Sequence, residues 1–228
     1  MSLILNIDTA SETAQINIAQ DGLIVQEVIN TNQKEHAAFV QPAIQSLLKK
    51  AGNTLQDLAA VAVVYGPGSY TGLRVGMASA KGLCIAINKP LITVGALEIL
   101  AAAAINENKL NYIERMLFCP MIDARRMEVF TAVYDSRLTI ISPATALILD
   151  DGSFVKMLLN NPVAFFGSGA AKWHSICTHK NASFPAPAGN GLAMSKLSFD
   201  QFLKNDLADV AYSEPLYLKE FYMAQNVR

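Results

Sequence analysis

The segment that most constrains this chain is Gly66-Pro67-Gly68-Ser69-Tyr70-Thr71-Gly72-Leu73-Arg74-Val75-Gly76, set between two apolar runs. The preceding Val61-Ala62-Val63-Val64-Tyr65 is short and rich in β-branched residues, which predicts a buried strand. The following Met77 to Ile87 predicts a helix, and Ser69 and Thr71, as candidate N-caps, place its start near Tyr70 to Gly72. A strand, a glycine-rich turn and a helix together point free backbone N–H groups at an anion or at another chain. The glycines match neither G-x-x-x-x-G-K-[ST] nor G-x-G-x-x-G, so the two common nucleotide loops do not describe this turn.

The flanking pattern fixes the fold class. Leu3 to Asp8 reads as a strand, Ala14 to Ala19 alternates with period two, and Asp21-Gly22 turns the chain into a third strand, Leu23 to Ile29. Val40, Ile44, Leu47, Leu48 and Ala51 share one helical face. Pro42 fits a helix starting near Ala38, because the first turn tolerates proline, and Gly52-Asn53 is a stop. A strand at Leu91 to Val94 and a helix from Leu97 complete a ribonuclease-H-like unit. The second half begins the same way, with strands at Met116 to Ile122 and Met127 to Tyr134, a turn at Asp135-Ser136 and a strand at Arg137 to Ile141. A strand at Val163 to Phe166 follows, and Asn181 to Gly191 reads as an exposed loop. The expectation is an α/β chain of two ribonuclease-H-like lobes of the actin and sugar-kinase type. Residues 1–105 form the first lobe and 106–228 the second, with the polar break Asn106-Glu107-Asn108-Lys109 between them. No residue-level repeat is visible, and Glu214 to Tyr222 is placed as a segment able to pack back on the first lobe.

Composition narrows the partners. With a net charge of −1, the chain has no global basic field for nucleic acid and needs a local patch or another protein to supply one. Cys84, Cys119 and Cys177 are far apart and odd in number, which favours a reduced, cytoplasmic setting. The N-terminus carries no basic leader, and the longest apolar stretch, Leu97 to Ile105 apart from Glu98, is too short for a membrane span.

Gly66-Pro67-Gly68-Ser69-Tyr70-Thr71-Gly72-Leu73-Arg74 followed by Ala80-Lys81-Gly82-Leu83 resembles the signature of the bacterial TsaB (YeaZ-like) family. Ile4-Leu5-Asn6-Ile7-Asp8-Thr9, Asp123-Ala124-Arg125-Arg126 with Glu128-Val129-Phe130, and Glu214-Pro215-Leu216-Tyr217-Leu218 resemble further family segments. The weakest stretch lies between Asp150 and Lys204. The resemblance implies an accessory subunit for threonylcarbamoyladenosine modification of tRNA. Its partner would be TsaD, the related catalytic subunit that transfers a threonylcarbamoyl group from its adenylate to a tRNA adenosine. It further implies a TsaE ATPase in the same assembly, tRNA reached through the complex, a homodimer when the chain is alone, and no cofactor of its own. Whether ATP or ADP binds at the contact with TsaD stays open.

The residues themselves bear on chemistry. In TsaD-type chains the strand after the glycine-rich helix leads into a metal-binding H-x-x-x-H. Here Ala96 and Leu100 stand at those positions, and neither can ligate a metal. His36, His174 and His179 lie elsewhere; the last two, with Cys177 between them, are open to a loop site or to ordinary packing. Asp8 and Thr9 either build the hairpin turn or face a nucleotide cleft, with Gly167-Ser168-Gly169 as the second-lobe counterpart, so Asp8, Thr9, Gly167 and Gly169 mark a candidate vestigial cleft. Neither Ser69 nor Ser168 lies in G-x-S-x-G. Arg74 sits early in its helix, where the dipole disfavours a cation, and points either to a carboxylate or phosphate opposite or to solvent.

Gly72, Gly76, Ser79 and Ala80 fall at spacings of three and four, which leaves a groove for another backbone, either the chain's own sheet or a second subunit. The interface reading, taken with the helix from Val40, names Val40, Ile44, Tyr70, Gly72, Leu73, Arg74, Gly76, Ser79 and Ala80 as partner-facing. The competing function is an enzyme of the same superfamily, a metallopeptidase or a small kinase, which metal content and ATP hydrolysis of the isolated chain would reveal.

Overall fold

The computed structural model describes residues 1–108, 115–186 and 189–219. The first lobe is a five-stranded sheet of β1 (Leu3–Asp8), β2 (Ala14–Gln20), β3 (Leu23–Asn30), β4 (Ala60–Gly66) and β5 (Leu91–Gly95), in the order β3-β2-β1-β4-β5. β1 pairs antiparallel with β2 and parallel with β4, and β4 pairs parallel with β5. The second sheet repeats this with β6 (Leu117–Asp123), β7 (Glu128–Tyr134), β8 (Ile140–Ile148), β9 (Val163–Phe166) and β10 (Ala182–Ser183), in the order β10-β9-β6-β7-β8. Read from the antiparallel edge, each sheet runs third, second, first, fourth, fifth. That is the ribonuclease-H-like arrangement twice over.

Helix ends follow local chemistry. α1 (His36–Ala51) stops where Gly52 takes a left-handed conformation, φ 69°, and returns its N–H to the carbonyls of Leu48 and Lys49. It starts two residues earlier than its proline suggested. Pro42 therefore sits in the second turn, where the helix continues because the lost hydrogen bond is on the exposed side and water can take the Ala38 carbonyl. α2 (Tyr70–Ile87) begins as expected, with the Ser69 side chain accepting from the Gly72 N–H. One strand is corrected: β8 begins at Ile140, not Arg137, because the Asp135 carboxylate accepts the N–H groups of Arg137 and Thr139 and prolongs the turn.

The hydrophobic interior forms layers. On one face of the first sheet, Leu5, Ile7, Ile16, Ile18, Val61 and Val63 pack against Val40, Ile44 and Leu47 of α1 and Met77 and Cys84 of α2. On the other face, Ile4, Ala62, Val64, Ile92 and Val94 meet α3 (Ala96–Asn108) through Ile99, Ala102 and Ala103. The opposite side of α3, Leu97, Ala101 and Ala104, packs on Phe118, Ala132, Tyr134 and Phe166 of the second sheet. A helix apolar all round belongs between two layers, and its alanines let both sheets come close. The polar break falls at the end of α3, and Lys109 lies outside the described residues.

Two short helices, α4 (Val155–Leu158) and α5 (Ala170–His174), accompany the second sheet, and the longer α6 (Asn190–Leu203) is not foreseen by the sequence reading, which takes Asn181 to Gly191 as loop. Although it follows the second sheet in the chain, it lies on the first, and its buried face is mixed: Ala193 and Met194 join the core, beside Gly191, Ser195 and Ser198. There the Ser198 hydroxyl donates to Asn6 Oδ1 (2.6 Å), Asn6 Nδ2 to Asn17 Oδ1 (2.9 Å), and the Ser195 hydroxyl to the same Asn17 oxygen (3.0 Å). Such a network holds a helix only when every member is satisfied. Asn17→Leu removes the acceptor of the Asn6 amide and leaves the Ser195 hydroxyl only the Gly191 carbonyl, and is expected to lower unfolding stability by about 1–3 kcal/mol in denaturant titrations.

Candidate functional site

The glycine-rich turn is closed by contacts within the chain. The Ser69 N–H donates to the Ala10 carbonyl (2.7 Å), and the Thr9 hydroxyl donates to the Gly72 carbonyl (2.7 Å). A Cβ at Gly68 would collide with the Ala10 carbonyl, one at Gly72 with the Thr9 carbonyl, and one at Gly76 with Thr9 Oγ1. Three glycines of the signature therefore let α2 lie directly on the end of β1. This corrects the interface reading for six residues. Val40, Ile44, Gly72, Leu73, Gly76 and Ala80 are buried in the chain's own core, on the face of α1 and α2 that grips the first sheet. Of the nine named, only Tyr70, Arg74 and Ser79 reach solvent.

The outward face of the same helices is a different set. On α2 it runs through Thr71, Arg74, Ala78, Gly82, Ile85 and Ala86; on α1 through Ala37, Ala38, Gln41, Pro42 and Gln45. Ile85 is 72% exposed, and no described residue lies within 4 Å of where a Gly82 Cβ would stand. Unlike Gly76, Gly82 meets no described residue that would require it to lack a side chain. Ala78, Gly82 and Ala86 at intervals of four form a small-residue stripe, a signal present in the sequence but overshadowed by the glycines nearer the turn.

Beside this face runs a C-terminal strap. The Ala208 N–H donates to the Leu91 carbonyl, Lys81 Nζ donates to the carbonyls of Ala211 and Ser213, and the Leu216 N–H donates to the Tyr65 carbonyl (2.7 Å). The Leu216 carbonyl lies 2.8 Å from where a Gly66 Cβ would stand, and Gly66 has φ 128°. Glycine is required there twice over. Tyr217 then meets Tyr70, ring centroids 5.1 Å apart, and accepts a hydrogen bond from Arg74 Nε (3.2 Å). Lys219 pairs with Glu128 of β7, so the strap touches both sheets. Glu220 to Tyr222, the rest of the segment expected to fold back, lie outside the described residues.

A model of the family described as TsaD, tRNA N6-adenosine threonylcarbamoyltransferase, matches residues 23–216. The tRNA threonylcarbamoyladenosine biosynthesis protein TsaB of Bacillus subtilis is 33% identical over 180 residues, 78% of this chain and 73% of that protein. TsaB of Escherichia coli is 35% identical over 131 residues, 58% of this chain and 54% of its own length. The chain belongs to the TsaB family, within the wider TsaD family. The fold agrees: the structure of YeaZ from Pseudomonas aeruginosa superposes with a TM-score of 0.75, at 22% identity, over 96% of this chain and all of that one.

The TsaB-family chain gives its remaining candidate residues structural work. Ala96 is buried at the start of α3, and neither it nor Leu100 offers a donor atom to a metal. His174 stacks on Phe184 (4.3 Å), and His179 Nδ1 accepts from the Asn181 N–H (3.2 Å), so each ring is engaged separately. No group of three or more His, Cys, Asp or Glu suited to a metal occurs among the described residues. No helix among them is long and apolar enough to cross a membrane.

The cleft candidates show an internal repeat that the sequence hides. Asp8 ends β1 and its Oδ1 accepts the Ala10 N–H (2.9 Å); Asp123 ends β6 and its Oδ1 accepts the Arg125 N–H (2.6 Å). After β4 comes Gly66 at φ 128°, and after β9 comes Gly167 at φ 99°. In the second lobe, too, the glycines pack on the chain: a Cβ at Gly167 would stand 2.5 Å from the Met121 carbonyl, and one at Gly169 2.7 Å from Val129 Cγ1. Lys172 pairs with Asp123 at 2.8 Å. These four positions serve the two turns, with Thr9 spent on α2.

Two outcomes follow. Gly76→Ala should lower stability by about 1–3 kcal/mol in spite of its better helix propensity, because the methyl group must displace the Thr9 hydroxyl; a rise in melting temperature would contradict this packing. Burial pushes the Asp8 carboxyl up to about 6, against the hydrogen bond from the Ala10 N–H. A raised carboxyl stabilises the fold below its unfolded pKa of about 3.8 and loses that contribution as pH rises through about 6. The loss amounts to roughly 3 kcal/mol. Asp8→Asn keeps the acceptor oxygen, so it should melt higher than the wild type at pH values above about 7 and close to it near pH 4.

Proposed function

We propose that this chain is a noncatalytic accessory subunit for threonylcarbamoyladenosine modification of tRNA, which pairs with a TsaD homologue and holds it in its active state. Family membership supplies the process. The observation that carries the pairing is the outward face of α1 and α2, where Gly82 stands open with Ala78, Ala86 and an exposed Ile85 around it. A glycine inside an exposed helix costs about 1 kcal/mol relative to alanine. Close approach of a partner helix offsets that cost, and helices meet most closely where side chains are smallest.

The donor chemistry supports a role without turnover of its own. The positions corresponding to the metal-binding histidine pair hold Ala96 and Leu100, and the turn glycines are filled by the chain itself. On this reading ATP or ADP enters the assembly at the contact with the TsaD homologue or through a TsaE-type ATPase, not in this chain's cleft. tRNA is reached through the complex. In the absence of TsaD the same face pairs two copies of this chain.

Mixing the chain with its TsaD homologue and following threonylcarbamoyl transfer to tRNA tests the proposal. Transfer should be slow with either protein alone and rise sharply with both. Gly82→Leu should abolish the stimulation and weaken association at least about tenfold, while its melting temperature holds or rises with the gain of up to about 1 kcal/mol in helix propensity. Full-rate transfer by the TsaD homologue alone would refute the accessory role.

A further inference from the structure

Arg74 is the one feature of α2 that the small-residue face does not explain. It lies near the N-terminal end of the helix, where the macrodipole opposes a cation. Its guanidinium carbon sits 4.0 Å from the centre of the Tyr70 ring, and its Nε donates to the Tyr217 hydroxyl at 3.2 Å. Two aromatic residues, one from the helix and one from the strap, thus hold a long side chain that would otherwise be free to rotate. Ordering such a side chain costs rotamer entropy, and here it is ordered at the surface. No carboxylate among the described residues lies within ion-pair distance of it; the two pairs they contain are Lys172–Asp123 and Lys219–Glu128. Among the described residues, none takes the fork of terminal N–H groups.

What lies beside it is a groove of about 510 Å³ between α2 and the strap, lined by Arg74, Met77, Lys81, Glu214, Pro215 and Tyr217 among others. Lys81 is tethered by the Ala211 and Ser213 carbonyls, so Arg74 carries the larger set of uncommitted N–H donors on the wall. The groove is continuous with the outward face of α2 through Ala78, which belongs to both.

Resting on the pairing proposed above, we infer that this groove receives an acidic side chain of the partner subunit, whose carboxylate Arg74 grips with the orientation set by Tyr70 and Tyr217. A planar fork suits a carboxylate in two-point contact, and pre-ordering lowers the entropy lost on binding. The C-terminal strap is then part of the docking surface, and Tyr217 is a positioning residue.

The test is the affinity of the full chain for its TsaD homologue, measured by calorimetry at low and high salt, with and without added ATP or inorganic phosphate. Arg74→Glu should weaken binding about 30-fold or more and flatten the salt dependence, and Arg74→Lys should recover part of the loss. Tyr217→Phe should weaken binding several-fold in the wild-type background and hardly at all in Arg74→Ala, which a merely structural tyrosine would not do. One Asp or Glu of the partner, mutated to alanine, should lose its effect when Arg74 is already alanine. Wild-type binding that Arg74→Glu leaves unchanged, with all variants melting normally, overturns the inference and spares the pairing. An Arg74 effect that appears only with ATP or phosphate present assigns the groove to a phosphate and overturns the carboxylate. Absence of wild-type binding removes the pairing itself, and the inference with it.

Discussion

Everything on the outer side of the first lobe depends on how closely α2 lies on the end of β1. The Thr9 hydroxyl donates to the Gly72 carbonyl, and the positions that would hold side chains at Gly68, Gly72 and Gly76 are occupied by Thr9 and Ala10. A helix seated this tightly has one rotational setting. Leu73, Met77, Ala80 and Cys84 must then enter the core, and Arg74, Ala78, Gly82 and Ile85 must leave it. The signature that looks like an anion loop or a docking groove is a packing device, and the exposed small-residue face is its consequence on the opposite side.

The second constraint is α3. Its alanines serve both sheets, so the lobes share one buried helix and do not merely abut. α6 crosses back onto the first sheet and the strap continues along β5, β4 and α2 until Lys219 meets Glu128. Both lobes keep the same aspartate-ended first strand and the same positive-φ glycine after the fourth. They differ in what covers that turn: α2 and the strap in one, a short helix bearing Lys172 in the other.

Much of the architecture was legible because the first lobe is written in clean periodicities: alternating residues in β2, a β-branched run in β4, an apolar stripe in α1. α6 was not, because Gly191, Ser195 and Ser198 interrupt the buried side that Ala193 and Met194 would otherwise mark as apolar. β8 was displaced by an Asp135 turn whose reach depends on a side-chain hydrogen bond. At the candidate site, sequence spacing identified α2 but could not say which side of it faces inward. Gly72, Gly76 and Gly82 look alike until Thr9 is seen against the first two. Tyr217 is 143 residues from Arg74, a distance no local pattern spans.

The central claim is that the outward face of α1 and α2 is what this chain presents to a TsaD homologue. Hydrogen–deuterium exchange of the chain alone and in the presence of that protein addresses it directly. Slowed exchange should concentrate in peptides covering 36–51 and 70–88, extending into 208–219 where the strap borders the face. Protection confined to 117–125 and 163–172, around the second-lobe turn, with the two helices unchanged, would contradict it.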